Sequence, residues 1–214
     1  MNNDVKYIGV TGLARTGKNL FCDIAVKQLR EKHNLRAKTY AIAYDLKKDC
    51  AAFVKEKLGL DVFTENTAEK AMFRDLLVWY GATKRKQTQG TYWTTLLEQR
   101  IKNELEVENS LLNEPVDVVF VSDIRFAEYE KDEVFWIKEH LGGKLVHISK
   151  YDYSPLDKTR RVYVEPPNAS EAANDPKVKM YANCFVDWRA IDTKDLIDND
   201  YLNSQVEKAL QAIL

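Results

Sequence analysis

Tyr7-Ile8-Gly9-Val10-Thr11-Gly12-Leu13-Ala14-Arg15-Thr16-Gly17-Lys18-Asn19 is the stretch that decides the fold. Gly12 and Gly17 frame four residues, and Lys18 follows the second glycine. Without a Cβ, each glycine takes backbone angles that L-residues avoid and lets a ligand approach the chain closely. Successive backbone N–H groups then point into one concavity, and the helix that follows adds the positive end of its dipole. Gly12, Leu13, Ala14, Arg15, Thr16, Gly17, Lys18 and Asn19 therefore read as a phosphate-binding loop, with Lys18 as a mobile charge for the outer phosphates. The pattern normally closes on Ser or Thr, whose hydroxyl reaches a magnesium ion; here that place holds Asn19.

The flanks support a loop between a strand and a helix. Tyr7-Ile8-Gly9-Val10 is a short apolar run suited to a buried parallel strand. Leu20, Phe21, Ile24, Ala25 and Leu29 recur at helical spacing, with Asp23, Lys27, Gln28 and Arg30 between them.

Further strands are expected at Ala37–Ala43, at Val116–Asp123, at Leu145–Ile148 and at Asp195–Ile197. Helices are expected from Asp45 to a stop at Gly59, from about Thr67 to Gly81, and from Trp93 to Leu105. Another is expected through Val134, Phe135, Ile137 and Leu141 to Gly142-Gly143, and a closing one from Tyr201 to Ile213. Thr83–Gly90 reads as a basic, polar loop. Tyr151 to Trp188, punctuated by Pro155, Pro166, Pro167 and Pro176, reads as irregular. Strands alternating with helices imply an α/β fold with a parallel sheet.

The 214 residues suit one domain, or a core with a small lid, and can bury a hydrophobic core. A net charge of -1 gives no global reason to bind polymeric nucleic acid or an acidic membrane. Cys22, Cys50 and Cys184 are far apart, which argues against a zinc site or a disulfide framework and fits a reducing cytoplasm. The opening Met1-Asn2-Asn3-Asp4 has no signal-like character, and no segment approaches membrane-spanning length.

In an open parallel sheet, ligands gather beyond the carboxyl ends of the strands. Asp123 closes the longest apolar strand, the place of an acid that holds magnesium, with helix capping as the alternative. Arg125 follows on the same loop and could clamp a phosphate or pair with Glu128. Phosphoryl transfer needs cations beyond Lys18, so Arg15, Arg74, Arg85, Arg160 and Arg161 are candidates, the last two on a segment able to fold over as a lid. Trp93 is a candidate for base stacking as well as for packing. No histidine or cysteine has the neighbours of a nucleophile–base pair.

The ordered set of motifs resembles the bacteriophage deoxynucleoside monophosphate kinase family over nearly the whole chain. It comprises Gly12–Asn19, Tyr44-Asp45-Leu46-Lys47, Arg74–Gly81 followed by Trp93, and Val121-Ser122-Asp123-Ile124-Arg125-Phe126 with Glu128. Gly142–Val146 and Ile197-Asp198-Asn199-Asp200 complete it. The resemblance implies a three-layer kinase fold spanning 1–214, with a five-stranded parallel sheet and helices on both faces. Substrate-binding helices would lie near 60–110 and a lid near 151–188. It also implies transfer of a phosphoryl group from ATP, with magnesium, to a deoxynucleoside monophosphate.

Under that resemblance Gly12 to Asn19 hold ATP, and Lys18, Arg15, Asp123, Arg160 and Arg161 are catalytic. Arg74, Arg85, Trp93, Asp123, Arg125 and Glu128 face the acceptor. Asp123 and Asn19 approach the metal through water. A second acceptor class, or a nucleotide-binding module without catalysis, are the alternatives. The partners expected are small nucleotides, with a homodimer left open, and the setting is cytoplasmic, in a host cell if viral. The chain departs from the family pattern at Asn19, where Asp is usual, and at Leu20, where Thr or Ser is usual. It departs again at Asn168-Ala169-Ser170-Glu171, where a His-containing version is usual and to which no role is given.

Overall fold

The computed structural model describes residues 5–112, 114–191 and 196–214. In chain order it has β1 (Lys6–Thr11), α1 (Lys18–His33), β2 (Ala37–Ala41), α2 (Ile42–Leu58), α3 (Thr67–Gln87) and α4 (Thr91–Leu112). Then come β3 (Val118–Ile124), α5 (Glu133–Phe135) running into a π-helical turn (Trp136–His140), and β4 (Lys144–Tyr153). β5 (Arg161–Tyr163), α6 (Ala169–Lys179), β6 (Cys184–Arg189) and α7 (Asp200–Ile213) complete the set.

The sheet has six strands and is mixed. β2, β3, β1, β4 and β6 lie side by side in parallel, and β5 pairs antiparallel with the end of β4. An all-parallel sheet was expected; the short β5 hairpin strand is the difference. β6 takes one edge of β4 from Val146 to Tyr151, and β1 takes the other edge as far as His147. The β5 pairing at Tyr151–Tyr153 therefore stands beyond the carboxyl end of β1, on the side where the glycine loop emerges.

Both faces of the sheet are covered, which is why the central strands β1 and β3 read as apolar runs. Val118 and Phe120 of β3 pack with Ile8, Val10, Val146 and Ile148 against Phe21, Ile24 and Leu29 of α1 and Leu202, Val206 and Leu210 of α7. The alternate residues Val119 and Val121 face the other way, with Leu145, against Trp93, Leu97 and Ile101 of α4 and Ile137 of the π turn. A smaller cluster of Cys50, Val54, Val62 and Phe73 joins α2 to α3.

Several expected boundaries move for local reasons. α2 begins at Ile42 rather than at Asp45; Asp45 is buried instead against Arg100, Oδ2 to Nη2 at 3.0 Å. α3 runs past Gly81, which packs against Leu46 and whose carbonyl accepts the Trp93 Nε1–H at 3.2 Å. Most of the expected basic loop is thus the last turn of α3, where Lys84, Arg85 and Lys86 complement the negative end of the helix dipole. The helix expected around Val134–Leu141 is three residues of α-helix and the π turn, closed by Leu141 N–H to Trp136 O at 3.0 Å.

The largest correction concerns Tyr151 to Trp188, which is not irregular but holds β5, α6 and β6. Of the last strand expected, Asp195 lies outside the described residues, and Leu196 and Ile197 lead into a turn before α7. Asn199 caps that helix by accepting the Leu202 N–H at 3.1 Å. Among the described residues no helix is long and apolar enough to cross a membrane.

Candidate functional site

The glycine loop takes backbone angles that its two framing glycines permit. Gly12 has φ 132° and Gly17 has φ 95°, both in the region L-residues avoid. A Cβ on Gly12 would lie 2.2 Å from the Ile148 carbonyl oxygen, and one on Gly17 would lie 2.7 Å from the Trp188 ring. The loop therefore rests directly on β4 and β6. Trp188 fixes it further, its Nε1–H donating to Thr16 O at 2.7 Å. The Thr16 hydroxyl donates to Leu13 O at 2.8 Å, closing the turn from within. Leu13, Arg15 and Gly17 have N–H groups with no protein acceptor among the described residues.

Lys18 folds back over this concavity, donating to Gly12 O and Leu13 O at 3.0 Å each. Burial pushes its ammonium pKa down, while the Asp123 carboxylate 3.7 Å away pulls the other way. Asp123 itself is the extra residue of a β-bulge. Val10 pairs with Ser122 and Thr11 with Ile124, so Asp123 faces no partner, and it sits at φ 66°. A left-handed non-glycine residue at the carboxyl end of a central strand stores strain, and the bulge aims its side chain at Lys18.

Arg125 completes the cluster. Its Nη2 lies 3.5 Å from Asp123 Oδ1, and its Nη1 donates to Glu171 Oε1 at 2.6 Å. Burial opposes its charge, but Asp123 and Glu171 outweigh that and hold its pKa above the ordinary arginine value. The other Glu171 oxygen accepts the Ala14 N–H of the loop at 2.7 Å. Glu171 ends the stretch Asn168–Glu171, to which the sequence reading gave no role; it comes into the site on α6, an element the proline punctuation concealed.

The backbone that presents Arg125 is held from below by two buried acids. Glu133 accepts the N–H groups of Arg125 and Phe126 on one oxygen, at 2.6 and 3.2 Å. Burial, then the neighbouring Asp132, pushes its carboxyl pKa up to about 8. Asp132, fully buried, accepts from Glu128 N, Tyr129 N and Arg85 Nη2, the last at 2.6 Å.

Beside Asn19 opens a cavity of about 530 Å³, lined by Asn19, Asp23, Tyr40, Tyr44, Arg100 and Glu104 among others. Arg100 lies 4.6 Å from the Tyr44 ring centre and 5.2 Å from that of Tyr40. Burial and the neighbouring Glu104 push the Tyr40 phenol pKa up, yet its buried hydroxyl has no hydrogen-bond partner of normal geometry.

The other expected site residues separate into groups. Arg85 is buried against Asp132, with Glu128 at 3.3 Å and its guanidinium 3.4 Å from the Phe126 ring centre, so Arg85 and Glu128 face each other. Trp93 is in the core between Tyr80 and Tyr92 and offers no face for stacking a base. Arg74 is exposed on α3 and makes no ion pair among the described residues. Arg161 pairs with Asp187 at 2.8 Å and stacks 4.3 Å from the Tyr151 ring, whereas Arg160 is exposed at the end of the hairpin turn. Arg15 is exposed on the loop with φ 68°. Lys150, which sequence reasoning did not single out, lies close enough for burial and the Arg15 charge together to push its pKa down.

Asp123 and Asn19 carry side-chain oxygens, the donor type that a hard cation takes. Among the described residues no group of three or more His, Cys, Asp or Glu side chains could hold a metal. Compared with known proteins, the chain matches no protein-family model and no curated protein sequence.

Proposed function

We propose that the protein transfers the terminal phosphoryl group of ATP to a deoxynucleoside monophosphate, giving the diphosphate. The observation that carries this reading is the convergence of Lys18, Asp123 and Arg125 on the mouth of a glycine loop whose Leu13, Arg15 and Gly17 N–H groups have no protein acceptor among the described residues. A three-layer kinase fold, with the parallel strands as its sheet and the β4–β5 hairpin as its lid, belongs to the same reading.

Catalysis of this kind is positioning plus neutralisation of spreading charge. The loop N–H groups hold the donor's phosphates, and Lys18 leaves its carbonyl partners to follow the transferring group. Asp123 and Asn19 would hold magnesium through water, and the ion would neutralise the outer phosphates. Arg125 and Arg15 face the remaining charge. Arg160 is the lid cation in this reading, since Arg161 is engaged by Asp187 and Tyr151. The 530 Å³ cavity takes the acceptor nucleoside, with Arg100, held in the wall by Asp45, in place of the exposed Arg74. Closing the hairpin over the loop excludes water, so that the phosphate goes to the acceptor.

An assay coupled to ADP release, run against each deoxynucleoside monophosphate, tests the reading. Turnover with at least one is expected. Measurable ATP binding with no turnover on any of them would sink it and favour either another small acceptor or a nucleotide-binding module.

A further inference from the structure

The geometry points to Glu171 as a built-in anion that plugs the phosphate loop and must be displaced before a polyphosphate can bind. This rests on the reading of residues 12–19 as a phosphate site. The Glu171 carboxylate uses both oxygens on groups suited to phosphate: Oε2 accepts the Ala14 N–H of the loop at 2.7 Å, and Oε1 accepts Arg125 Nη1 at 2.6 Å. Only 11% of the side chain is exposed. A phosphate oxygen and this carboxylate compete for the same donors, and two anions cannot share them without strong repulsion.

The helix that carries the plug is built to release it. The carboxyl-terminal half of α6 is anchored, with Val178 fully buried and Asp175 Oδ1 3.2 Å from His147 Nε2 on β4. The first turn is held by the Asn168 cap, which accepts the Glu171 N–H at 2.9 Å, and Ala169, Ser170, Ala172 and Ala173 around it are exposed. Pro176 inside the helix has no N–H to offer the Ala172 carbonyl, and besides the helical ladder the buried Asn174 Nδ2 donates to Ser170 O at 3.0 Å, the bond that lifting the first turn must break. Upstream, Pro166 and Pro167 lie in an exposed connection with no helix or strand pairing. The first turn can lift away while Asp175 and Val178 stay seated.

Binding of inorganic tripolyphosphate, followed by calorimetry, tests this without any transfer reaction. Glu171→Gln keeps the shape and removes the charge, and should bind about tenfold tighter than wild type, the loss of one charged competitor. Glu171→Asp, which keeps the charge on a shorter arm, should fall between them. Equal affinity of wild type and Glu171→Gln overturns the plug. Weaker binding by Glu171→Gln overturns it too, since Glu171 would then be positioning Arg125. In the wild-type protein, tripolyphosphate should speed amide exchange across residues 169–174; unchanged exchange there is a second refutation that needs no variant. Tripolyphosphate binding to Lys18→Ala at wild-type affinity would instead break the loop reading itself.

Discussion

Residues 12–19 carry their chemistry in their own sequence, whereas residues 151–189 act on the same site through partners far along the chain. In the first region the glycines, the lysine and the following helix are contiguous, and the local angles follow from residue type. In the second, Trp188 supports Thr16, Glu171 reaches Ala14 and Asp175 holds His147, each over a long separation. The difference teaches that a binding loop and the surface that shapes it obey different rules. The loop's backbone angles follow from a short motif, while its floor is defined only once the sheet is assembled.

Trp188→Ala should show the largest effect. It removes a fully buried ring from beneath Gly17 and the donor to Thr16 O, and should cost about 3–5 kcal/mol in denaturant unfolding. Tripolyphosphate binding should weaken with it. A loop that binds as before would break the comparison, because the motif would then be sufficient without its floor.

Next comes Lys18→Ala, which should lower turnover by about a hundred- to a thousandfold while the protein stays folded by circular dichroism. Full activity would contradict the loop assignment.

The most gradual effect, smallest when taken per pH unit, is a slope with pH. Glu133 has its pKa raised from 4.5 to about 8 in the folded protein, so the folded state holds a proton that the unfolded state releases. Its stabilising contribution is complete below the unfolded pKa and is lost as pH rises through about 8, at no more than about 1.4 kcal/mol per pH unit. Glu133→Gln should flatten the decline in unfolding free energy between those values. An unchanged decline would show that Glu133 stays ionised on the N–H groups of Arg125 and Phe126.

The sequence was legible where local chemistry and burial agree. β1, the loop, α1 and the apolar run ending at Asp123 follow from patterns within a few residues, and the amphipathic α7 follows in the same way. β6 was hidden because only Val186 and Trp188 of its residues are buried, and its alternation with Phe185 and Asp187 makes no continuous apolar run. α6 was hidden by Pro176, which helices exclude from their interiors often enough that it reads as a boundary. Gly81 gave the opposite error: it looks like a terminator, yet it makes room for Leu46.

Charge misled in a different way. Arg85 and Arg125 have equal standing as isolated residues. One is spent on buried Asp132 and the other stands at the loop, and only the fold separates them. The bulge that turns Asp123 toward Lys18 is likewise invisible until the register of β1 on β3 is known.

The bond from Trp188 to Thr16 spans 172 residues, and it orders events during synthesis. The loop leaves the ribosome long before its floor is translated, by roughly 10–30 s at ordinary elongation rates of about 5–20 residues per second. Throughout that interval a nascent chain can already contain the phosphate motif without the surface that holds it in shape. The shape of the loop is therefore completed late, when β6 slots in beside β4, and a ribosome stalled before Trp188 would display the glycine motif without the bond that Trp188 gives to Thr16.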